Sequence, residues 1–317
     1  MPVTSAFLIK YSAVAVGKTG KPYMNLILMD KTGEVEARIW DNTTQYMGHA
    51  VQDSFVLIEG HCQSYQGKNQ LVIKKLQVLR EDLVDPKEFI KESPIDPQVL
   101  YSKLLAWIAS IKDPYYRALG ESIFRDDPDI AEKMKRAPAA KNFHHSYRTG
   151  LLEHVVSIST ILDFLSQHYA THHVNRDLML MGGFLHDIGK LWELCYERVT
   201  DYTTEGRLIG HLVMGIELVD RKIHELEQIP ERLPGLFPEE KKLLLKHVIL
   251  AHHGELEFGS PKRPKCMEAL LVHVADDMDS KMNAIHSFME QDSTLGHWTA
   301  FSRQYERFFY KPEPVQE

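Results

Sequence analysis

The chain has 317 residues, 44% of them apolar and 26% charged, with a formal net charge of −7. That length suits two domains of ~100–150 residues, and the composition excludes disordered and fibrous classes. No apolar run reaches the ~18–20 residues of a membrane helix. The opening MPVTSAFLIKYSAVAVGKTG lacks the basic start and cleavage site of a signal peptide. Cys62, Cys195 and Cys266 form no CxxC pair, which excludes a disulfide framework and a zinc ribbon. A cytoplasmic protein without membrane contact is the expectation.

The charge is unevenly spread. Residues 1–80 carry nine Lys/Arg against six Asp/Glu, whereas residues 81–317 carry 28 against 38. Of 17 histidines, only His49 and His61 precede residue 140. A mildly basic, His-poor segment thus precedes an acidic, His-rich one.

The first segment reads as strands. AFLIKYSAVAV, PYMNLILMD, GEVEARIW, SFVLIEGHC and NQLVIKKLQVL are short, β-branched or aromatic, and partly alternating. Turn signals separate them, and Asp41 is a candidate cap for a short helix between the third and fourth. Five strands with that helix give the layout of an OB-fold barrel; the competing reading is a small β-barrel without a ligand. The expected organisation is an OB domain over residues 1–82 and a linker with a helical strap over 83–135. An all-α domain follows over 136–317.

Helical periodicity starts at Gln98. Leu100, Leu104, Leu105, Ile108 and Ile111 share one face, and Leu151, Leu152, Val155, Ile158, Leu162 and Leu165 share another. LMLMGGFLHDIGKLWEL, RLIGHLVMGIELVDRKIHEL, EEKKLLLKHVILAHHG and CMEALLVHVADDMDSKMNAI read as four further helices.

Within them, His186-Asp187 is an adjacent imidazole–carboxylate pair, a good donor set for transition metals when other helices add partners. His154, His211, His252, His253 and Asp276 are such partners. A single histidine on an apolar face reads as a packed core residue. Asp276 in LLVHVADDMD is harder to place that way, because a buried carboxylate needs a partner. The order H…HD…H…HH…D resembles the HD-domain phosphohydrolase superfamily in its two-metal form. That resemblance implies Asp187 as the bridging ligand and Asp276, not Asp277, as the metal-binding aspartate. Two cations ~3.5–4 Å apart can activate a water and neutralise attacking and leaving oxygens of a phosphodiester. Imidazole-rich ligation favours Mn, Fe, Co, Ni or Zn over Mg. Lys190, three residues past Asp187, is a candidate phosphate contact, the other reading being a solvated lysine. His144, His145, Tyr147 and Arg148 in NFHHSYRTGLLEHV, with Asp279 and Lys281 in DDMDSK, are substrate-contact candidates.

KTGKPYMNLILMDKTGEVEARIWD, HHSYRTGLLEHV, LHDIGK, YTTEGRLIGH, AHHGELEFGSP and ADDMDSK follow one another along the chain. In this order they resemble the YhaM-type 3′→5′ exoribonucleases, also described as CMP-binding-factor proteins. The resemblance implies a multi-domain β + α chain, a five-stranded OB barrel followed by an all-α HD domain. It also implies a manganese-requiring nuclease that releases nucleoside 5′-monophosphates from the 3′ ends of RNA, and sometimes of single-stranded DNA. Asp187 and Lys190 would be the catalytic pair; His154, His186, Asp187, His211, His252, His253 and Asp276 would hold two divalent transition ions. In the barrel, Lys21, Tyr23, Trp40 and Tyr65 are the stacking and phosphate-binding candidates for a single strand. A phosphodiesterase for small nucleotides is the alternative, weakened because no GYP tripeptide follows HDIGK. A regulatory protein with a vestigial HD domain is the third reading. The aromatic C-terminal stretch leaves docking, oligomer formation and nucleic-acid contact open.

Overall fold

The computed structural model describes residues 1–17, 20–65, 68–141 and 145–312. They form two compact units. One holds Met1–Pro94 with Cys195–Asp201, the other Ile95–Leu194 with Tyr202–Glu317.

The first unit is a closed barrel of β1 (Pro2–Val16), β2 (Pro22–Asp30), β3 (Gly33–Ile39), β4 (Phe55–Tyr65) and β5 (Lys68–Val78), ordered β1-β2-β3-β5-β4. Pairing is antiparallel except between β3 and β5, where Glu36, Ala37 and Arg38 face Gln70, Leu71 and Val72 in parallel. This is the five-stranded OB barrel expected from the alternating pattern. Its interior is Ile9, Met24, Leu26, Leu28, Ala37, Ile39, Val56, Ile58, Leu71 and Ile73. In β2 and β3 they alternate with half-buried or exposed partners, so one face of those strands is apolar. The short helix α1 (Thr43–Tyr46) lies between β3 and β4, but Asp41 does not cap it. Asn42 stands at its N-cap in the left-handed region, φ 55°, with no side-chain cap bond. After the barrel, Phe89 and Ile90 pack with Leu8, Phe55 and Val199. Arg198 donates to the Asp53 carbonyl at 2.7 Å.

The second unit is helical: α2 (Pro97–Ala109), α3 (Pro114–Phe124), α4 (Pro128–Arg136), α5 (Gly150–His168), α6 (Arg176–Leu185), α7 (Lys190–Glu193), α8 (Thr204–Leu208), α9 (His211–Glu227), α10 (Glu239–Ala251) and α11 (Met267–Gln291). Helices α2, α3 and α4 all begin with Asp-Pro. Asp96, Asp113 and Asp127 each accept a backbone N–H of the first turn, and proline at the first helical position fixes φ where no hydrogen bond is lost. The predicted stripes are inside: Leu100, Leu104, Ile108, Ile111, Leu151, Leu152, Val155, Ile158 and Leu162 are all buried.

Helix α6 is the centre of this unit. Every residue from Leu178 to Leu185 is buried, the pattern of a helix surrounded on all sides. Its neighbours come very close: a Cβ on Gly182 would lie 2.5 Å from Val248, and one on Gly183 2.6 Å from Leu162. Two helices expected as continuous runs are broken. LMLMGGFLHDIGKLWEL ends α6 at Leu185 and restarts at Lys190, which leaves His186 as the C-cap. RLIGHLVMG breaks at Gly210, whose φ of 82° only glycine adopts at no cost, so His211 opens α9 instead of lying mid-helix.

Asp127 also meets the buried Lys222 of α9 at 2.9 Å. Burial opposes its charge, but the Lys222 ammonium and the Ile130 amide overcome this and hold its carboxyl below the usual range. Asp127→Ala should lower the unfolding free energy at pH 7 by ~1–2 kcal/mol, while Asp127→Asn, which keeps a capping oxygen, should cost less. Because the folded pKa is depressed, the ion-pair share is present above the unfolded value of ~3.9 and fades as pH falls through the folded one. Urea titrations of the three proteins at pH 7 and below pH 4 check both statements.

Candidate metal centre

The histidines and aspartates singled out in the second half of the chain meet in one place. His154 comes from the second turn of α5, His186 and Asp187 from the end of α6, and His211 from the first residue of α9. His252 and His253 come from the end of α10, and Asp276 from the middle of α11. His154 Nε2 lies 3.2 Å from Asp276 Oδ1 and 3.3 Å from His186 Nε2. His186 Nε2 lies 3.3 Å from Asp187 Oδ2, while Asp187 Oδ1 faces His211 Nε2 and His252 Nε2, each at 3.6 Å. The two oxygens of Asp187 therefore address two halves of the cluster. His154, His186 and Asp276 form one set of mutually close donor atoms, and His211, His252 and His253 form another.

The orientation of each ring follows from its far nitrogen. His186 Nδ1 donates to the Gly183 carbonyl at 2.9 Å, and His252 Nδ1 to the Ile249 carbonyl at 2.7 Å. His211 Nδ1 donates to Glu193 Oε1 at 3.0 Å, and His154 Nδ1 to Asp279 Oδ2 at 2.8 Å. A carbonyl or carboxylate can only accept, so all four Nδ1 atoms carry the proton there, and in the neutral ring Nε2 turns a lone pair inward. This is how metal-binding imidazoles are held. The AHHG turn is fixed in the same manner, with His273 donating to the His252 carbonyl at 2.7 Å. Gly254 is required in that turn twice over: its φ is +79°, and a Cβ would sit 2.2 Å from the His273 ring.

Electrostatics match a cation site. Asp187 is buried and Asp276 mostly so, its side chain 17% exposed; desolvation opposes their charge, but Lys190 and His186 for the first, and His154 and His186 for the second, hold both well below the usual carboxylate range. Burial and the neighbouring imidazoles push His253 down to about 4, and burial lowers His252. Both stay neutral donors at physiological pH. His154 is buried too, yet Asp276 and Asp279 raise it to about 9, so a cation bound there would displace a proton from its Nε2. Among the described residues, Asp187 Oδ1 and His211 Nε2, 3.6 Å apart in this space, are buried without a hydrogen-bond partner, and so is His253 Nδ1. Such orphans are costly in a dry interior unless something charged satisfies them. Anionic oxygens and neutral imidazoles converging on one space fit a divalent transition cation.

Lys190 is placed on Asp187 Oδ2 at 2.6 Å. Of the two adjacent aspartates, Asp276 faces the cluster, whereas Asp277 is exposed and paired with Lys281 at 2.7 Å. That pairing also keeps Lys281 at the surface. His145 is buried, with Nδ1 2.9 Å from the Tyr147 hydroxyl and Nε2 3.2 Å from Asp279. Arg148 is half-buried beside it; His144 lies outside the described residues. In the barrel, Tyr23 and Trp40 stack with centroids 4.7 Å apart, next to the exposed Lys21, and Trp40 is 46% exposed. Tyr65 is exposed but belongs to the β4–β5 hairpin, where it pairs with Lys68. In register, Lys68 is level with Glu34, at the opposite end of β3 from Trp40. The structure therefore does not bring Tyr65 to the Tyr23–Trp40 pair.

Glu193 was not evident from the sequence as a site residue. It is buried within LWEL and accepts both the backbone N–H and the Nδ1–H of His211, each at 3.0 Å. A carboxylate inside an apolar run is its one sequence signal. Ser157 and Asn283, which donate to Asp279 and accept from His145, carry no such signal.

Comparison with known proteins agrees with this geometry. Residues 151–281 match the HD domain family, and residues 9–79 match the OB-fold nucleic acid binding domain family. The chain is 34% identical over 306 residues to the 3′-5′ exoribonuclease YhaM of Oceanobacillus iheyensis, covering 96% of this chain and 92% of that one. The chain belongs to the YhaM family. A second relative, YhaM of Geobacillus sp., is 34% identical over 96% of this chain and 90% of its own. Both YhaM relatives align across the barrel and the helical unit alike, so the whole arrangement is shared. No helix of the described residues is long and apolar enough to cross a membrane.

A divalent transition cation at a hundred times its dissociation constant should add about 2.7 kcal/mol to the unfolding free energy. Thermal melts with and without Mn²⁺, Co²⁺ or Ni²⁺ should show the rise, and His211→Ala should shrink it. Melts that no cation moves would refute the site.

Proposed function

We propose that this chain is a metal-dependent 3′→5′ exoribonuclease that releases nucleoside 5′-monophosphates from single-stranded RNA, with single-stranded DNA as a further substrate. The observation that carries this reading is the division of Asp187 between two sets of imidazoles, in a chain whose family relatives are named as exoribonucleases. Two divalent ions are the reading of that division; manganese is the one the family resemblance implies, and Fe, Co, Ni or Zn also suit a set of imidazoles and carboxylates. His154, His186 and Asp276 would hold one, His211, His252 and His253 the other, and Asp187 both. Bound there, they would supply Lewis acidity and a water of lowered pKa.

The chain's own residues do the rest. The buried acids and rings keep bulk water from the cluster and present fixed dipoles, so nothing must reorganise as charge builds on the phosphate. Lys190 holds a positive charge at Asp187 within reach of a non-bridging phosphate oxygen. Tyr147 and Arg148, in the loop that precedes α5, are assigned to orienting the terminal nucleotide. Residues 1–82 are assigned to capturing the strand and residues 136–317 to cleaving it. The Tyr23–Trp40 stack offers an exposed ring face to a base, and Lys21 a cation to its phosphate.

With Mn²⁺, RNA labelled at its 5′ end should shorten stepwise from the 3′ end, with nucleoside 5′-monophosphates identified by mass spectrometry. His186→Ala and Asp187→Ala should each reduce the rate at least ~10³-fold, the scale of losing a principal electrostatic element. RNA left intact under every transition cation would refute the reading, and cleavage confined to mononucleotides or cyclic dinucleotides would support the small-nucleotide alternative. Trp40→Ala should weaken oligonucleotide binding by ~1–3 kcal/mol, checked by fluorescence anisotropy, with little change in turnover at saturating RNA.

A further inference from the structure

Four imidazoles of the cluster have a fixed Nδ1, but not by the same means. The two central rings, His186 and His252, are the C-caps of α6 and α10, and each donates to the carbonyl three residues earlier in its own helix. That is a local arrangement any helix end can provide. The two outer rings have no such carbonyl. His211 is the first residue of α9, with no preceding turn, and its ring is held by Glu193, 18 positions away. His154 lies within α5, and its ring is held by Asp279 on α11, 125 positions away.

We propose that Glu193 and Asp279 are positioning residues that set the cation affinity of His211 and His154 and do not contact substrate. The assignment rests on the metal-bound reading above and deepens it. Asp279 is already committed within the protein: Oδ2 meets His154 at 2.8 Å and His145 at 3.2 Å, and Oδ1 accepts from the Ser157 hydroxyl. Glu193 Oε1 takes the amide and the ring of His211 together, which fixes both the start of α9 and the direction of the imidazole. One oxygen anchored to backbone and ring leaves the ring little freedom to turn its Nε2 away.

Charge bears on the same point. Asp187 and Asp276 bring two negative charges directly to the donor set, and Glu193 and Asp279 bring two more immediately behind it. Four carboxylates match the charge of two divalent ions, with Lys190 as the additional cation. A carboxylate behind an imidazole also makes that ring a stronger donor. The sequence placed Asp279 among substrate contacts; the hydrogen bonds place it behind a ligand. Its other partner, His145, has φ 45° and is buried, a conformation unusual for histidine that persists only where its surroundings enforce it. His145 accepts that strain between Asp279 and the Tyr147 hydroxyl and extends the support outward to the loop.

The test uses the full chain and Mn²⁺ alone, with the dissociation constant read by electron paramagnetic resonance or calorimetry in the absence of RNA. Glu193→Gln and Asp279→Asn should each weaken Mn²⁺ binding 10–100-fold, the range measured for outer-shell partners. At saturating Mn²⁺ the KM for RNA should match wild type. In a His211→Ala background, Glu193→Gln should weaken Mn²⁺ no further, because the ring it orients is gone; a full additional loss would overturn the assignment for Glu193. Unchanged Mn²⁺ affinity with a raised KM would overturn it for either residue and restore the substrate-contact reading. Should the amide variants fail to fold, as judged by circular dichroism, Glu193→Asp and Asp279→Glu keep the charge and move it by roughly one bond length. These must weaken Mn²⁺ binding measurably, and wild-type affinity in both would refute the proposal. Loss of nuclease activity alone would bear on the function, whereas Mn²⁺ affinity without RNA bears on the positioning.

Discussion

The dominant constraint on the helical unit is the cost of holding several ionisable side chains in a dry interior. Carboxylates and imidazoles leave water only when each is paired, and a single unpaired member is worth several kcal/mol of penalty. Here the pairing is nearly closed on itself. Asp276 meets His154 and His186, Asp187 meets His186 and Lys190, Glu193 meets His211, and Asp279 meets His154 and His145. Asp187 Oδ1 and His211 Nε2, both buried without a hydrogen-bond partner among the described residues, face one space. The residual penalty thus marks the place where a cation would be stabilised most.

The fold serves this arrangement. Helix α6 is buried all round so that its end can deliver His186 and Asp187 into the middle of the unit. Glycines permit the close approach: a Cβ on Gly189 would lie 2.0 Å from the His211 carbonyl, and one on Gly206 2.2 Å from the Glu193 carbonyl. The donors sit at helix ends where rings and carboxylates can turn inward, or, for His154 and Asp276, on the inner faces of long helices. Around them the apolar faces of α2, α5, α6 and α10 exclude water, which strengthens every charge interaction inside.

Much of this was legible in the chain of letters. Alternation in AFLIKYSAVAV and PYMNLILMD gave strands, because one barrel face must be apolar at every second residue. The 3.6-residue spacing of Leu151, Val155, Ile158 and Leu162 gave a helix, because its stripe must face a core. The ordered set of histidines and aspartates stood out because those residue types seldom recur within apolar runs without a common purpose. Less legible were the breaks in the helices. Gly210 reads as tolerable within a helix until its φ of 82° is seen, and Asp41 reads as a cap until Asn42 is found in that position. Tyr65 reads like Tyr23 and Trp40 by composition; only strand register puts it at the other end of β3.

The sequence by itself determined the barrel, the helical unit and the donor types, because periodicity decides which face of a regular element is buried; the choice of Asp276 over Asp277 came from the resemblance, not from a period. Only the tertiary structure decided what stands behind the donors. Glu193 reaches His211 across 18 positions and Asp279 reaches His154 across 125, and in both pairs the partners lie on different helices. Pairing between elements depends on how they pack, and packing is set by the whole unit at once. For that reason the identity of a donor can be read locally, while its orientation, and the direction of its lone pair, cannot.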